Sequence, residues 1–310
     1  MLFRPATEAD LGRLLHCAVG EPVSWAHPER LRSFLADGHY RYDRVWVAEQ
    51  DGEILARAVW WGFPGTGPLA LDCLYSHPSV TDRVTLAADL LRHAHDAFGD
   101  RPAYHVFLPV GWRDNHAVAA AVGWRHEACR RAGLTDELER LRYAWTPGSP
   151  VPEPSGRLIF REEPDDEAFV AAFAAASAGS LDHHTRQALL VKDPETQARE
   201  DLADYLAMPG DRSWWRLACT PSGELAGFAL PSANASGPVV GYLGVLPEHR
   251  GRGYVDDLLA EITRCHAARG ARRIAADTDT GNLPMARAFE RAGYELFAIR
   301  LVLSANPVNT

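Results

Sequence analysis

Cysteine is scarce in this chain of 310 residues. The five cysteines are Cys17, Cys73, Cys129, Cys219 and Cys265, which are widely spaced and form no Cys-x-x-Cys pair. Disulfide frameworks and structural zinc sites both need closer pairs of cysteines. The sequence therefore excludes a disulfide-rich secreted scaffold and predicts reduced thiols, which are typical of the cytoplasm.

Long apolar runs are also missing. The longest run, 168–176, is much shorter than the roughly 20 residues that span a bilayer. The first residues contain no basic segment followed by an apolar stretch, so we expect no secretory signal. We therefore expect a cytoplasmic protein with no membrane partner.

Positive charge is in short supply. The formal net charge is −9, the acidic excess is spread evenly over both halves, and Lys192 is the single lysine. Nucleic-acid-binding surfaces usually show a basic stripe, and this sequence shows none, so we expect no nucleic-acid partner. The content of 46% hydrophobic and 24% charged residues is typical of a globular protein.

Two motifs for other chemistries are lacking. No Gly-x-Ser-x-Gly segment is present, so the nucleophile of an α/β-hydrolase is unsupported. His183 and His184 are adjacent, and neighbouring side chains on one element point apart, so they are not expected to share a metal ion. We predict no metal site.

A proline-rich segment lies near the middle of the chain. Residues 146–156, TPGSPVPEPSG, contain four prolines, which cannot continue a helix or a central strand. Such a segment behaves as a semi-rigid spacer. We therefore predict one lobe over 1–145, a linker over 146–156 and a second lobe over 157–310.

The two halves share short segments at a nearly constant offset of about 170 residues. The pairs are 52–56 with 223–227, 77–78 with 246–247, and 123–124 with 293–294. A steady offset over several elements indicates an internal duplication.

Strand and helix patterns alternate in the second half. This order, with antiparallel hairpins at both ends, predicts a mixed α/β fold in which a mostly antiparallel sheet is flanked by helices. The predicted strands are 157–161, 214–219, 224–230, 239–246 and 272–277, followed by a hairpin over 294–303. The predicted helices are 165–177, 195–207, 254–269 and 283–292.

The strongest local signal is a glycine-containing loop between the strand 239–246 and the helix that starts at Tyr254. Gly251 and Gly253 allow the backbone to turn tightly and to approach a ligand. A helix N-terminus offers free N–H groups and a partial positive charge, which together form a phosphate cradle. Arg250 and Arg252 could add direct charge pairing.

Three interpretations of this loop compete. A Rossmann dinucleotide site would use Asp277 as the ribose acid, but its third glycine is replaced by Asp256 and the preceding loop is long. A strand–helix turn without a ligand is the second interpretation. The third is a loop that binds the pyrophosphate of coenzyme A.

The third interpretation gains support from a family resemblance. The segment Leu246-Pro-Glu-His-Arg-Gly-Arg-Gly-Tyr254 resembles the acyl-CoA loop of the GNAT superfamily of N-acetyltransferases, Arg/Gln-x-x-Gly-x-Gly/Ala. Arg250 and Gly253 match its first two fixed positions, whereas Val255 stands where Gly or Ala is usual. The segment from Asn282 to Tyr294 resembles the second family signature.

The resemblance implies a set of residues that line the coenzyme A arm. In the family an asparagine and a following tyrosine line this arm, the tyrosine often protonates the departing thiolate, and the thioester lies in a gap between two splayed strands. Phe289 replaces that tyrosine here. The residues implied to bind acetyl-CoA are Gly244, Val245, Leu246, Arg250, Gly251, Arg252, Gly253, Tyr254, Val255, Asn282 and Phe289.

The resemblance reaches the first lobe only through the repeat. The layout is similar to that of tandem-GNAT proteins, the architecture of mycothiol synthase. At the loop position the first lobe has no glycine, and Asp82 replaces Gly251. Because a carboxylate would repel phosphates, we expect a degenerate lobe that does not bind coenzyme A.

Candidate catalytic residues follow the strand 272–277. Asp277 or Asp279 could accept the proton that an ammonium must lose before attack. Alternatively, Asp279 or Thr280 caps the next helix. Tyr242 is a further candidate polar group, or a core tyrosine.

The leading interpretation is a cytoplasmic N-acyltransferase, a monomer or homodimer, that moves an acetyl or related acyl group from coenzyme A to a small-molecule amine. Transfer would be direct, within a ternary complex. Phe289 and Val255 leave open a non-catalytic acyl-CoA-binding or regulatory module. Aminoacyl transfer from charged tRNA is a further alternative, which the acidic charge disfavours.

Overall fold

The computed structural model describes residues 1–17, 21–23, 26–234 and 236–306. The chain divides into two compact units. The first unit combines residues 1–139 with the segment that begins at Ile299, and the second unit runs from Arg140 to Ala298. In the described residues, no helix has the length and the apolar character needed to cross a membrane.

The first unit is a mostly antiparallel sheet with helices. The order of its strands is β1-β2-β3-β4-β5-β12, where β4 and β5 pair in parallel and the other neighbours are antiparallel. The strands are β1 Leu2–Pro5, β2 Val45–Gln50, β3 Glu53–Trp61, β4 Ala70–Ser76, β5 Tyr104–Leu108 and the part of β12 (Glu295–Ser304) from Ile299 onward. The α-helices are α1 Leu11–Leu14, α2 Pro28–Ala36, α3 Arg83–Phe98 and α4 His116–Arg131.

The second unit has the same mixed character, as predicted. Its strand order is β6-β11-β10-β9-β8-β7, where β10 and β11 pair in parallel and the other neighbours are antiparallel. The strands are β6 Asp136–Trp145 from Arg140 onward, β7 Ile159–Arg161, β8 Arg216–Cys219, β9 Leu225–Asn234, β10 Gly237–Val245 and β11 Ile274–Asp279. The α-helices are α5 Asp166–Ser177, α6 His183–Ala188, α7 Pro194–Ala207, α8 Tyr254–Ala268 and α9 Leu283–Arg291.

The unit boundaries differ from the lobes predicted as 1–145 and 157–310. The hairpin predicted over 294–303 is instead the single strand β12, and its residues 299–303 pair with β5 in the first unit. Conversely, residues 140–145 of β6 pair with β11 in the second unit. The two halves of the sequence therefore exchange a strand.

The proline-rich segment 146–156 belongs to the second unit and does not separate the units. Ser149 donates a hydrogen bond to the Gly293 carbonyl at 2.7 Å, and Trp145 Nε1 donates to the Pro150 carbonyl at 3.2 Å. Arg264 also donates to the Pro152 carbonyl at 3.1 Å. These bonds pack the segment onto the unit that follows it, so it is not a free spacer.

Helix α8 shows how the sequence pattern creates the core of the second unit. Leu258, Leu259 and Ile262 recur at helical spacing and are fully buried. They pack against the sheet strands β9 and β10. The helix that follows the glycine loop is therefore anchored by its apolar face, and this anchoring fixes the position of its N-terminus.

Both units contain a β-bulge at the same place. In β4 the register with β3 skips Asp72, and in β10 the register with β9 skips Gly241. These two residues are separated by the same offset of about 170 residues that relates the sequence repeats. A shared bulge supports the predicted duplication, because bulges are conserved within families of folds.

Both units also contain a pair of strands that separate after one parallel contact. In the first unit, β4 and β5 are in register only at Leu71 and Tyr104. In the second, β10 and β11 are in register only at Val239 and Ala275. The splayed strands implied by the family resemblance are therefore present in the second unit.

One predicted repeat pair, 123–124 with 293–294, is wrong. Gly123 lies inside α4, whereas Gly293, predicted as its counterpart, follows the end of α9. The true counterpart of Gly293 is Gly133, because both have positive φ, +78° and +93°, and the same bonds surround them. Helix α4 has 16 residues and α9 has 9, so α4 contains about two extra turns that shift the offset.

In this corrected alignment of the repeats, Arg125 of the first unit is equivalent in position to Met285 of the second. Arg125 is 1% exposed, and its guanidinium donates to the carbonyl of Leu74 in β4 at 2.9 Å and to the Glu21 carboxylate at 3.0 Å. A buried arginine thus fills the space beside the splayed strand β4.

We expect Arg125→Met to destabilise the protein by about 3 kcal/mol, because it leaves Glu21 and a buried carbonyl without their partner. The matched control is Arg92→Met, which breaks the exposed pair with Asp89 and a long bond to the Ala88 carbonyl at 3.4 Å, and it should cost less than about 1 kcal/mol. Urea unfolding of both variants measures the difference. Equal losses would contradict the structural role of Arg125.

Candidate active site

A cavity of about 700 Å³ opens in the second unit where β10 and β11 separate. One wall is formed by β10, and the opposite wall by the end of β11 and the start of α9. The glycine loop and the first residues of α8 close one end, and residues of α6 and α7 form the other. The cavity therefore connects a helix N-terminus to a second, polar compartment.

The glycine loop has the backbone geometry of an anion cradle. Gly251 and Gly253 have φ angles of +75° and +74°, which L side chains rarely adopt. Gly253 is the N-cap residue of α8 and brings no side chain to cap the first-turn N–H groups. Because these groups and the helix dipole remain directed at the loop, the site suits a phosphate.

Arg250 holds this loop in place. Its guanidinium donates to the carbonyls of Ala176 and Ala178 at the end of α5, both at 2.7 Å, and to the carbonyl of Val245 at 3.1 Å. Most of its donors are therefore used within the protein, and direct pairing of Arg250 with a phosphate stays a prediction. Arg252 is exposed, with one bond to the Glu248 carbonyl at 3.3 Å.

The acidic residues at the start of α8 are neutralised by arginines. Asp256 pairs with Arg291 at 2.6 Å, and Asp257 pairs with Arg157. Arg157 also donates to the Gly253 carbonyl at 3.1 Å, so it stabilises the same loop. The carboxylates next to the cradle therefore do not leave it with an unbalanced negative charge.

Two of the three residues predicted to bind acetyl-CoA at the end of β10 line the cavity. Gly244 and Val245 line the cavity, but Leu246 does not, and its N–H is bonded to the Ala226 carbonyl at 2.9 Å. A Cβ on Gly244 would lie 2.6 Å from the ring of Phe228. The absence of a side chain at Gly244 therefore serves the packing of Phe228 as well as the cavity.

Val255, the departure from the family pattern, lines the cavity and packs against the core cluster that contains Leu259 and Phe289. The branched side chain of Val255 is therefore packed partly in the core and only partly faces the cavity. Tyr254 also lines the cavity, and its ring lies 6.2 Å from that of His249.

Asn282 and Phe289 line the opposite wall, as the resemblance implies. The Asn282 side chain caps α9 by accepting from the Met285 N–H at 3.4 Å, so the expectation that Asp279 or Thr280 caps this helix is wrong. Phe289 is 2% exposed and stacks on Tyr143 at 5.2 Å.

The two carboxylates proposed for catalysis have different surroundings. Asp277 lines the cavity, with its carboxylate 3.4 Å from Arg142 Nε. Asp279 is 4% exposed and is not a cavity residue. It accepts from the His183 N–H at 2.6 Å and lies 3.2 Å from Arg140 Nε, so it connects β11 to the start of α6.

Tyr242 lines the cavity within an aromatic cluster. Its ring lies about 5 Å from the rings of Phe173 and Phe228 and stacks on Tyr205 at 5.5 Å. Burial raises the pKa of Tyr242 above its ordinary value, so its hydroxyl stays protonated at neutral pH. Tyr242 can therefore act as a hydrogen-bond donor, but not as a base.

The compartment formed by α6 and α7 was missed at the level of sequence. Asp182, His184, Asp201 and Tyr205 line it. Tyr205 donates to the carbonyl of Gly241, the bulge residue of β10, at 3.2 Å. A signal was available, because Asp201 and Tyr205 are four residues apart and therefore share one face of the predicted helix.

Comparison with known proteins identifies the region that holds this cavity. The model of the acetyltransferase (GNAT) family matches residues 180–294. The matched residues lie within the second unit, and this match confirms the resemblance to the GNAT family seen in the sequence. No curated protein matches the chain.

Solved structures of other proteins also match this chain over most of its length. A GCN5-related N-acetyltransferase from Sphaerobacter thermophilus is 20% identical, with a TM-score of 0.59, and the match covers 99% of this chain and 96% of that chain. A GCN5-related glucosamine N-acetyltransferase region of a fungal multi-domain GH3 β-N-acetylglucosaminidase is 14% identical, with a TM-score of 0.51, and covers 88% of this chain and 36% of that one. A tandem GNAT protein from the clavulanic acid biosynthesis pathway is 18% identical, with a TM-score of 0.45 and 99% coverage of both chains.

We expect Gly253→Asp to weaken acetyl-CoA binding more than about a hundredfold, because the new carboxylate would oppose the phosphates at close range. Gly270→Asp is the matched control. Gly270 ends the same helix with φ +78° and no atom near its Cβ position, so it carries equal backbone strain far from the cradle. Calorimetric titration of both variants measures the affinity, and equal affinities would place the phosphate site elsewhere.

Proposed function

We propose that this protein transfers an acetyl or related acyl group from coenzyme A to the amine of a small molecule. The observation that carries the proposal is a continuous cavity that joins an anion cradle to the gap between β10 and β11. The cradle is formed by Gly251 and Gly253 before α8. The GNAT family match over this region supports the same activity.

Acyl-CoA would be held along the length of the gap. The loop and the first turn of α8 would bind the pyrophosphate, the backbone of Gly244 and Val245 would run beside the thioester arm, and Asn282 and Phe289 would form the opposite wall. When bound, the acyl-CoA supplies an activated acyl carbon as a thioester.

The polar compartment fits a cationic acceptor. Three carboxylates line the cavity, those of Asp182, Asp201 and Asp277. The two arginines that line it, Arg140 and Arg250, are engaged by Asp279 and by backbone carbonyls. An aliphatic amine is mostly an ammonium at neutral pH, so this balance of charge favours it over an anionic acceptor.

Transfer is proposed to be direct, without a covalent acyl-enzyme. All five cysteines lie in the described residues, and none of them lines the cavity. The role of the residues is then to orient the two reactants. Phe289 cannot donate a proton, but a thiol with a pKa of about 8.5 can leave as a thiolate near neutral pH.

We propose that the first unit is a diverged GNAT copy that does not bind coenzyme A. Asp82, at the position of Gly251, caps α3 by accepting from the Thr85 N–H at 3.0 Å. The N-terminus of this helix is therefore already occupied by an anion of the protein itself. Arg125, which is bonded to β4, fills the space beside the splayed strand.

Phe289 supports one second candidate, a module that binds acyl-CoA without catalysis. Both functions require acetyl-CoA binding, but only the acyltransferase consumes acetyl-CoA when an amine is present. Release of free thiol from acetyl-CoA, measured with a panel of small amines, separates them.

We expect calorimetry to show one acetyl-CoA bound per chain and thiol release to increase with at least one amine of the panel. The Gly253→Asp variant should lose both signals, because one cradle serves the chain. A stoichiometry near two would contradict the assignment of the first unit. Binding without thiol release for every amine would favour the non-catalytic module.

A further inference from the structure

We infer that Asp201 is the general base that takes the proton from the acceptor ammonium. This inference rests on the proposed function and names a residue that sequence reasoning did not select. Asp201 lies on α7 and lines the polar compartment of the cavity.

The carboxylate of Asp201 is held in one orientation. Its Oδ1 accepts a hydrogen bond from Gln197 Nε2 at 2.7 Å, one helical turn earlier. Gln197 is itself 4% exposed, so it cannot exchange this bond freely with solvent. Across the described part of the chain, Oδ2 of Asp201 has no protein partner, which leaves it available to a substrate.

The helix face that carries Asp201 lies against the point where the strands separate. Tyr205, one turn further along α7, donates to the Gly241 carbonyl and stacks on Tyr242. Gly241 is the bulge residue of β10, close to the single parallel contact at Val239. An amine bound at Asp201 is therefore on the side of the cavity that faces the gap.

The other carboxylates near the cavity are already engaged. Asp277 lies beside Arg142, and Asp279 is bonded to the His183 N–H. Asp182 caps α6 by accepting from both the N–H and the hydroxyl of Thr185. Asp201 has neither a cation within 4 Å nor a helix N-terminus among the described residues, so its charge is available to an ammonium.

The surroundings of Asp201 favour proton uptake. Burial raises the pKa of its carboxyl, the hydrogen bond from Gln197 and the nearby His184 oppose this shift, and Asp204 and Asp182 reinforce it. This shift brings the pKa of the Asp201 carboxyl closer to the pKa of an alkyl ammonium, which is about 10. Transfer of the proton is then less unfavourable than to an ordinary aspartate.

The chemical step is balanced without another reagent. The Oδ2 of Asp201 takes one proton from the ammonium, and the nitrogen lone pair then forms the C–N bond with the acyl carbon. The C–S bond breaks, and its electron pair leaves on the sulfur of coenzyme A. The second nitrogen proton neutralises that sulfur, directly or through water, and Asp201 returns its proton to solvent.

The test is steady-state transfer with the full chain, acetyl-CoA and an amine from the panel. Asp201→Asn keeps an acceptor for Gln197 and removes the base. We expect kcat at pH 7 to fall about 10²–10³-fold, while the affinity for acetyl-CoA, which reports an intact site, stays unchanged. At pH values below the pKa of the amine, the ratio of parental to variant kcat should fall about tenfold for each unit by which the pH is raised. The reason is that the neutral amine, which needs no base, becomes more abundant.

Two variants complete the design. Glu200→Gln removes an exposed carboxylate from the same helix, one that pairs with Lys192, and should keep the parental kcat and pH profile. Asp201→Glu restores a base and should recover part of kcat together with the flatter parental pH profile. A glutamate variant with the steep profile of the asparagine variant would count against the inference.

The outcomes distinguish this inference from the proposed function. An Asp201→Asn variant with the parental kcat and pH profile overturns the assignment of the base and leaves amine acylation standing. A parent protein that binds acetyl-CoA and acylates no amine overturns the proposed function, and the role of Asp201 with it.

Discussion

The separation of β10 from β11 is the constraint on which the candidate site depends. The two strands are in register only at Val239 and Ala275, and His266 Nε2, from α8, lies within hydrogen-bonding distance, 3.0 Å, of the Val239 carbonyl. Helix α8 is therefore tied to the point of separation, and the same helix presents its N-terminus to the cradle. One element thus fixes both ends of the space that an acyl-CoA would occupy.

Arginines contribute to this site mainly by binding the backbone. Arg250 joins the glycine loop to the end of α5, and Arg157 joins it to the segment before β7. In the first unit, Arg125 performs a similar task beside β4 and thereby fills the space. A guanidinium offers five donors in a fixed plane, so a single residue can fix several carbonyls of an irregular loop.

The parts of the site that depend on local sequence could be predicted, and the parts that depend on assembly could not. Gly251 and Gly253 signal the cradle because the turn and the helix start are encoded within one short segment. Asp201 and Tyr205 meet the bulge only after α7 packs on the sheet, and no local pattern specifies that contact. The fold class followed from the alternation of strands and helices. The correct partner of Gly293 did not, because the two extra turns of α4 leave the spacing of its apolar residues unchanged and nothing in that spacing points to Gly133.

The exchange of strands has a consequence for how the chain is made. Residues 299–303 pair with β5 at Tyr104–Leu108, so the ribosome must synthesise the whole second unit before the sheet of the first unit acquires its last strand. During that interval β5 is an open edge, which is a template for pairing with another chain. Closing a loop of about 190 residues is also a slow, non-local event. The first unit is therefore translated first but completed last, and its exposed edge during synthesis is where misassembly would begin.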